Sequence, residues 1–134
     1  MEVTVEHLGD VQFEIRARKH TIVCDQPEEG GGADEGMTPP ELLLASLGSC
    51  VAYYAAEYLR KHGLATEGAV VRVVADKVPN PARMDHFRIE VIPPRPIGEE
   101  DRAGVERAAH RCLIHNTLQH PPTVEITIQA PVEV

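Results

Sequence analysis

Residues 38–63 read TPPELLLASLGSCVAYYAAEYLRKHG and predict one long helix around which the other elements must pack. Thr38 is a suitable N-cap, and Pro39 has the backbone angle of a first helical residue. Glu41 stands three residues after the N-cap, where a capping box places an acidic side chain. We therefore expect the helix to begin after Thr38 and to continue to about His62, a length of about 36 Å.

This helix carries no charged side chain over residues 42–56, a stretch too short to span a bilayer. A helix that is apolar on every side must be covered on every side. A small two-layer domain covers one side with its sheet and leaves the other in water, so we predict a homodimer with the helix at or near the interface. Tyr53, Tyr54 and Tyr58 are expected to pack in the core or in that interface. Tyr54 also lies one turn beyond Cys50, where it can wall a substrate pocket.

Short strands are predicted before the helix. Apolar and polar residues alternate over residues 3–6 and 11–18, Gly9-Asp10 supplies a turn between them, and residues 20–24 form a third strand. Together they predict an antiparallel meander. Residues 26–38 are rich in glycine and acidic residues and lack periodicity, so we expect a mobile surface loop there.

A second group of strands and a second helix are predicted after the long helix. Residues 69–78 and 86–92 read as a pair of strands joined by a turn at residues 79–81. Residues 99–114 predict a helix with three acidic residues in its first turn, and residues 123–129 alternate like a final strand. The order predicts a single α+β domain over residues 1–134, with helices on one side of an antiparallel sheet.

Composition and charge exclude several classes of protein. The chain of 134 residues is 43% apolar and 25% charged, which is typical of a globular protein. Its 13 basic and 21 acidic residues give a net charge of −8, so nucleic acid and anionic membrane surfaces are poor partners. No basic segment typical of a secretory signal opens the sequence, and we expect a soluble cytoplasmic protein.

Three cysteines, Cys24, Cys50 and Cys112, are an odd number without a Cys-x-x-Cys pair, unlike the disulfide framework of a secreted protein. Cys50 and Cys112 are far apart in sequence, so only the fold can bring them together. The residues alone leave two interpretations open. Each thiol is an inert buried group, or the two react together with a nearby cation that holds one as thiolate. Cys24, in a predicted strand, is expected to be buried filler.

Two stretches carry a resemblance to a known family. Residues 36–50, GMTPPELLLASLGSC, look like the central-helix motif of the osmotically inducible and organic hydroperoxide resistance proteins, the OsmC/Ohr family. Residues 108–118, AAHRCLIHNTL, resemble the second cysteine motif of that family. The agreement extends over nearly the whole chain. It implies antiparallel sheets with a buried central helix, in an intertwined homodimer whose two active sites are each assembled from both chains.

The resemblance also implies thiol-dependent peroxidase activity. Cys50, as thiolate, would attack the O–O bond of a small organic hydroperoxide or hydrogen peroxide and become a sulfenic acid. Cys112 would condense with it to a disulfide, which an external dithiol reduces. This chemistry requires no metal or organic cofactor.

Two further family positions support the reacting cysteine. Glu41 matches a glutamate that orients it, and a capping role for the same side chain is compatible with that. The family places an activating arginine early in the chain, but the turn at residues 8–11 has none. We therefore assign this role to Arg18. The alternative interpretation is that Arg18 is a solvated strand residue without a role in the site. After Cys112 the residues 113–115, Leu-Ile-His, replace the usual proline and serine.

Other roles for the residues around Cys112, and another function for the protein, remain open. His115 can compensate as a cation near Cys112 or as a proton carrier. His110, Cys112, His115 and His120 are residue types that suit zinc, but His110 and Cys112 point about 200° apart on a helix, so we predict no metal site. The alternative function is a dimeric protein that binds a small apolar ligand without efficient peroxidase turnover.

Overall fold

The chain begins with the predicted antiparallel meander in the computed structural model, which describes residues 1–131. Strands β1 (Thr4–Gly9), β2 (Gln12–Ala17) and β3 (His20–Cys24) pair in the order β1-β2-β3. Two tight turns join them, with Asp10 in the first and Arg18 in the second, both at positive φ. The meander packs mainly within itself and makes little contact with the helices that follow.

The loop after β3 has a fixed course, so its predicted mobility was wrong. Asp25, whose exposed fraction is 1%, organises it. The carboxylate accepts hydrogen bonds from the backbone N–H groups of Gln26, Ala33 and Glu35 and from the side chain of Gln12. These donors, Glu35 first, hold the pKa of Asp25 below its usual value. One buried carboxylate therefore satisfies backbone groups that the composition of the loop seemed to leave to water.

The return of this loop beside β3 requires a glycine. A Cβ on Gly36 would lie 2.1 Å from the carbonyl oxygen of Val23, far inside van der Waals contact. Directly after Gly36, Met37 forms an isolated parallel β-bridge with Cys24, and the long helix begins two residues later.

The long helix α1 (Pro39–Lys61) has the predicted bounds. Thr38 is its N-cap, and the capping box is complete. The backbone N–H of Glu41 donates to Thr38 Oγ1 at 3.4 Å, and the Glu41 carboxylate accepts from the Thr38 N–H at 2.9 Å. Gly63, at a φ of 65°, follows the end of the helix in the left-handed conformation expected there.

A hairpin of β4 (Val70–Val78) and β5 (Arg83–Ile92) supports one side of α1. Buried Leu47 and Val51 of the helix pack on half-buried strand residues, which are Val71, Val73, Phe87 and Val91. The predicted α+β arrangement of antiparallel sheets around a long helix is therefore confirmed.

The predicted second helix over residues 99–114 is instead two helices, α2 (Glu99–Ala109) and α3 (Leu113–Gln119). The chain turns between them, with the N–H of Cys112 bonded to the carbonyl of Ala109 at 3.2 Å. Cys112 then adopts extended backbone angles and becomes the N-cap of α3. The single-helix prediction was wrong because Cys112, inside the apolar pattern, leaves the helical backbone angles and caps a second helix.

The predicted strand over residues 123–129 is absent from the described part of the chain, where residues 120–131 have no regular structure. Val124, Ile126 and Ile128 are 78%, 85% and 93% exposed. The alternation is real, but in the described part of the chain these residues pair with none of β1–β5, and an unpaired strand cannot satisfy its backbone groups.

A large apolar surface is left uncovered. By length and composition alone α1 could cross a membrane, and 28% of its most apolar 18-residue window is buried within the chain. Its buried side nevertheless packs on β4 and α2, as in the core helix of a folded domain. The exposed side chains include Leu43 and Tyr53 on α1 and Val5 and Ile22 on the meander.

Candidate active site

Cys50 and Cys112 meet in the core, although 62 residues separate them (112 − 50). Cys50 lies on α1 between the two buried side chains of Leu47 and Val51. Cys112, whose exposed fraction is 0%, belongs to the same cluster, and the half-buried Cys50 packs against it. The two side chains are close enough for Cys50 to raise the pKa of Cys112, and both cysteines are free thiols. The arrangement places two reducing equivalents side by side.

The environment of the two thiols is unequal. Burial raises the pKa of Cys112, and the hydrogen bond and charge of Cys50 raise it further. The backbone N–H groups of His115, at 3.3 Å from Sγ, and of Ile114 oppose this in part. Cys112 is therefore a protonated thiol at neutral pH. Cys50 is the more accessible of the two, which suits it to meet a substrate.

Glu41 does not reach the thiols within its own chain. Its carboxylate accepts from both the N–H and the hydroxyl of Thr38, and these bonds lower its pKa. It precedes Cys50 by nine residues, a rise of about 14 Å along the helix. The structure thus shows the capping role of Glu41. An orienting role would require the thiol of another chain to lie beside this carboxylate.

Arg18 also lies apart from Cys50 and Cys112. It occupies the exposed turn between β2 and β3, at a φ of 56°. Within residues 1–131 it forms neither an ion pair nor a side-chain hydrogen bond, and its meander makes little contact with α1. A cation at this position could therefore approach only a thiol that belongs to another chain.

Arg111 was not among the predicted site residues, although it lies close to the thiol pair. Its guanidinium lies over the ring of Tyr54, 5.7 Å from the ring centroid, and 3.9 Å from the Glu57 carboxylate. Tyr54 packs on the cluster that contains Cys112, so the cation sits one side chain away from the thiol pair. Its place directly before Cys112 in the sequence was the signal that could have found it.

A cleft of about 1340 Å³ lies beside the thiol pair, between β5 on one side and α2 and α3 on the other. Its apolar lining includes Val51, Phe87 and Val91, which also pack on the thiol cluster. Its polar lining includes His110 and His115. The cleft is large enough for a small organic molecule.

The histidines do not gather around a metal position. In the part of the chain that the structure describes, no three His, Cys, Asp or Glu side chains are placed to hold an ion. The rings of His110 and His115 stack edge to face, 5.3 Å apart, while His120 bonds the carbonyl of Asn116. Cys24 is buried at the end of β3, as expected of a packing residue.

Residues 31–127 match the profile of the family described as OsmC-like protein. None of the curated proteins searched matches the sequence. Among solved structures, the chain is similar to a protein from Psychrobacter arcticus 273-4 proposed to act in osmotic stress and detoxification. The TM-score is 0.78 and the identity 20%, over 86% of this chain and 85% of that one.

Two further structures extend the comparison. An OsmC-like protein from Mycoplasma pneumoniae gives a TM-score of 0.74 at 20% identity, over 90% and 87% of the two chains. An organic hydroperoxide resistance protein from Legionella pneumophila, also described as a predicted redox protein, gives 0.57 at 15% identity, over 88% of each chain. At these identities the similarity concerns the fold.

Proposed function

Because the chain belongs to the OsmC-like protein family, we propose that it is a thiol-dependent peroxidase that reduces organic hydroperoxides or hydrogen peroxide. The observation that carries the proposal is the packing of the free thiols of Cys50 and Cys112 in one cluster, which shares Val51, Phe87 and Val91 with a cleft of mixed polar and apolar lining. The relatives described as organic hydroperoxide resistance proteins, which share the fold, support it.

The reaction assigns a different role to each thiol. The Cys50 thiolate attacks one peroxide oxygen, the O–O bond breaks, and the alkoxide leaves as an alcohol after taking up a proton. Cys112 then attacks the Cys50 sulfenic acid, an S–S bond forms, and water leaves. An external dithiol returns both cysteines to thiols. The half-buried Cys50 suits the first step, and the buried, protonated Cys112 suits the second.

Positive charge for the first step has two sources in this proposal. Arg111 holds its guanidinium over Tyr54 beside the thiols of its own chain. Arg18 and Glu41 act on the thiols of a second copy, as the family resemblance implies, since neither reaches Cys50 within its own chain. The proposed setting is the cytoplasm, where a dithiol reductant is available.

The homodimer is the first prediction. Exposed apolar side chains on α1 and on the meander, Tyr53 at 64% among them, have no cover within the chain. We expect a native mass of about twice the 14.7 kDa of one chain by light scattering. Tyr53→Asp should shift the population toward monomer, because it buries a charge in the interface. Arg107→Asp, on the exposed side of α2, is the control and should stay dimeric. A wild-type protein that is monomeric at micromolar concentration contradicts the dimer.

The peroxidase proposal is tested by stoichiometry. The reduced protein, mixed rapidly with one equivalent of cumene hydroperoxide, should consume one peroxide and lose two free thiols per chain. Peptide mapping should then show a Cys50–Cys112 disulfide and a free Cys24. Cys24→Ser is the matched control and should give the same result. Unconsumed peroxide with all thiols intact counts against the proposal.

The size of the cleft favours one second candidate, a dimeric protein that binds a small apolar ligand without turnover. In that case the thiols survive excess peroxide. An apolar probe such as naphthalene should instead raise the melting temperature, because it binds the folded state alone.

A further inference from the structure

Nδ1 of His115 is a buried nitrogen without a hydrogen-bond partner. It is the one buried side-chain nitrogen or oxygen in this condition among residues 1–131. Buried polar groups in folded proteins are nearly always paired, so an orphan calls for an explanation in terms of strain or chemistry. Its position three residues after Cys112 makes a chemical explanation specific.

Three observations place His115 at the second thiol. Its backbone N–H donates to Cys112 Sγ at 3.3 Å, in the first turn of α3. Its ring packs edge to face on that of His110, with 5.3 Å between the centroids, which fixes the ring plane. The residue also lines the cleft beside the thiol pair.

The resolving step needs a base at this place. Cys112 is fully buried among apolar side chains and meets the reaction as a neutral thiol, which is a poor nucleophile. The attack on a sulfenic acid therefore requires an acceptor for its proton. Neutral imidazole is a base near physiological pH, and a ring nitrogen that forms no hydrogen bond in the resting protein, to Cys112 Sγ included, is free to take the proton.

We propose that the His115 imidazole accepts the proton of the Cys112 thiol as Cys112 attacks the sulfenic acid of Cys50. This inference rests on the proposed peroxidase function. The S–H bond of Cys112 breaks, the S–S bond forms, and the S–O bond of the sulfenic acid breaks. The departing hydroxide takes the proton from the imidazolium and leaves as water, so His115 ends the step neutral.

The test separates the two steps in one experiment. Wild-type protein and variants receive one equivalent of cumene hydroperoxide, and samples are quenched over time with dimedone to count sulfenic acid and by acid to count disulfide. His115→Ala should form sulfenic acid at the wild-type rate and convert it to disulfide roughly 10²-fold more slowly, the usual scale for one proton-transfer group. The backbone N–H to Cys112 remains in this variant.

Chemical rescue distinguishes a base from a structural side chain. Millimolar imidazole can enter the open cleft and should restore much of the lost rate of disulfide formation to His115→Ala. His115→Gln, which keeps the size of the side chain without the base, should show the same slow step if the alanine variant does not fold. His120→Ala, at the C-cap of the same helix, is the control and should match the wild type with and without imidazole.

Resolution at the wild-type rate in His115→Ala, or a slow rate that imidazole does not change, overturns the inference and leaves the peroxidase proposal standing. A wild-type protein that yields no sulfenic acid overturns both, and the missing first step identifies that case.

Discussion

Cys50→Ser should abolish peroxide consumption, with a loss of turnover of about 10⁴-fold or more, the scale seen when a covalent nucleophile is removed. A serine hydroxyl is not ionised at neutral pH and its oxygen attacks a peroxide bond far less readily than a thiolate sulfur. The variant should keep its fold, because Cys50 is half-buried and a serine side chain is only slightly smaller than a cysteine side chain. The measurement is the disappearance of cumene hydroperoxide under excess dithiothreitol.

Cys112→Ser gives the contrasting result that separates the roles of the two cysteines. It should consume the first equivalent of peroxide at the wild-type rate and then stop, with the Cys50 sulfenic acid trapped by dimedone. The reason is that the attack needs Cys50 alone, whereas the disulfide needs both. If Cys112→Ser loses the first equivalent and Cys50→Ser retains it, the assignment of the attacking thiol is reversed.

The sequence predicted those elements whose signals are local. Thr38 and Glu41 form the capping box that their spacing indicated, and the alternation in residues 3–6 and 11–18 predicted the meander. The loop near Asp25 was mistaken because its order depends on one carboxylate that gathers donors up to 13 residues away. Composition contains no information about such a contact.

The site was predictable in its residues and not in its geometry. Cys50 and Cys112 were singled out by their motifs, but nothing in their spacing shows that the two residues pack in one cluster. Arg111 was overlooked because its position near the thiols depends on its contact with the ring of Tyr54, which belongs to α1 and is distant in sequence. The strand expected over residues 123–129 does not form in the described chain, because alternation alone does not supply a neighbouring strand to pair with.

The helix α2, which leads to Cys112, is held against α1 by an unusual contact at Gly104. The side chain of Tyr58 crosses directly over this glycine, and its hydroxyl donates to Asp101 at 3.0 Å. A Cβ on Gly104 would fall 2.2 Å from the Tyr58 ring and hydroxyl. No side chain fits there unless the ring moves and its hydrogen bond breaks.

Gly104→Ala should therefore destabilise the protein by about 1–3 kcal/mol, the range for an overpacked core. The sign is the informative part, because alanine normally stabilises a helix interior by about 1 kcal/mol relative to glycine. Chemical denaturation gives the free energy of unfolding. Gly98→Ala, at the open N-cap of the same helix, is the control and should change stability by less than about 1 kcal/mol.

A double-mutant cycle makes the explanation specific to Tyr58. Once Tyr58→Ala has removed the ring, the space above residue 104 is open, and Gly104→Ala should become neutral or stabilising because its helix propensity alone remains. In the single variant Gly104→Ala, which keeps Tyr58, the displacement of α2 should also move Cys112 away from Cys50. Disulfide formation after peroxide treatment should then be slower than in the wild type. If Gly104→Ala costs the same free energy with and without the tyrosine, the packing of that ring does not hold α2 in place.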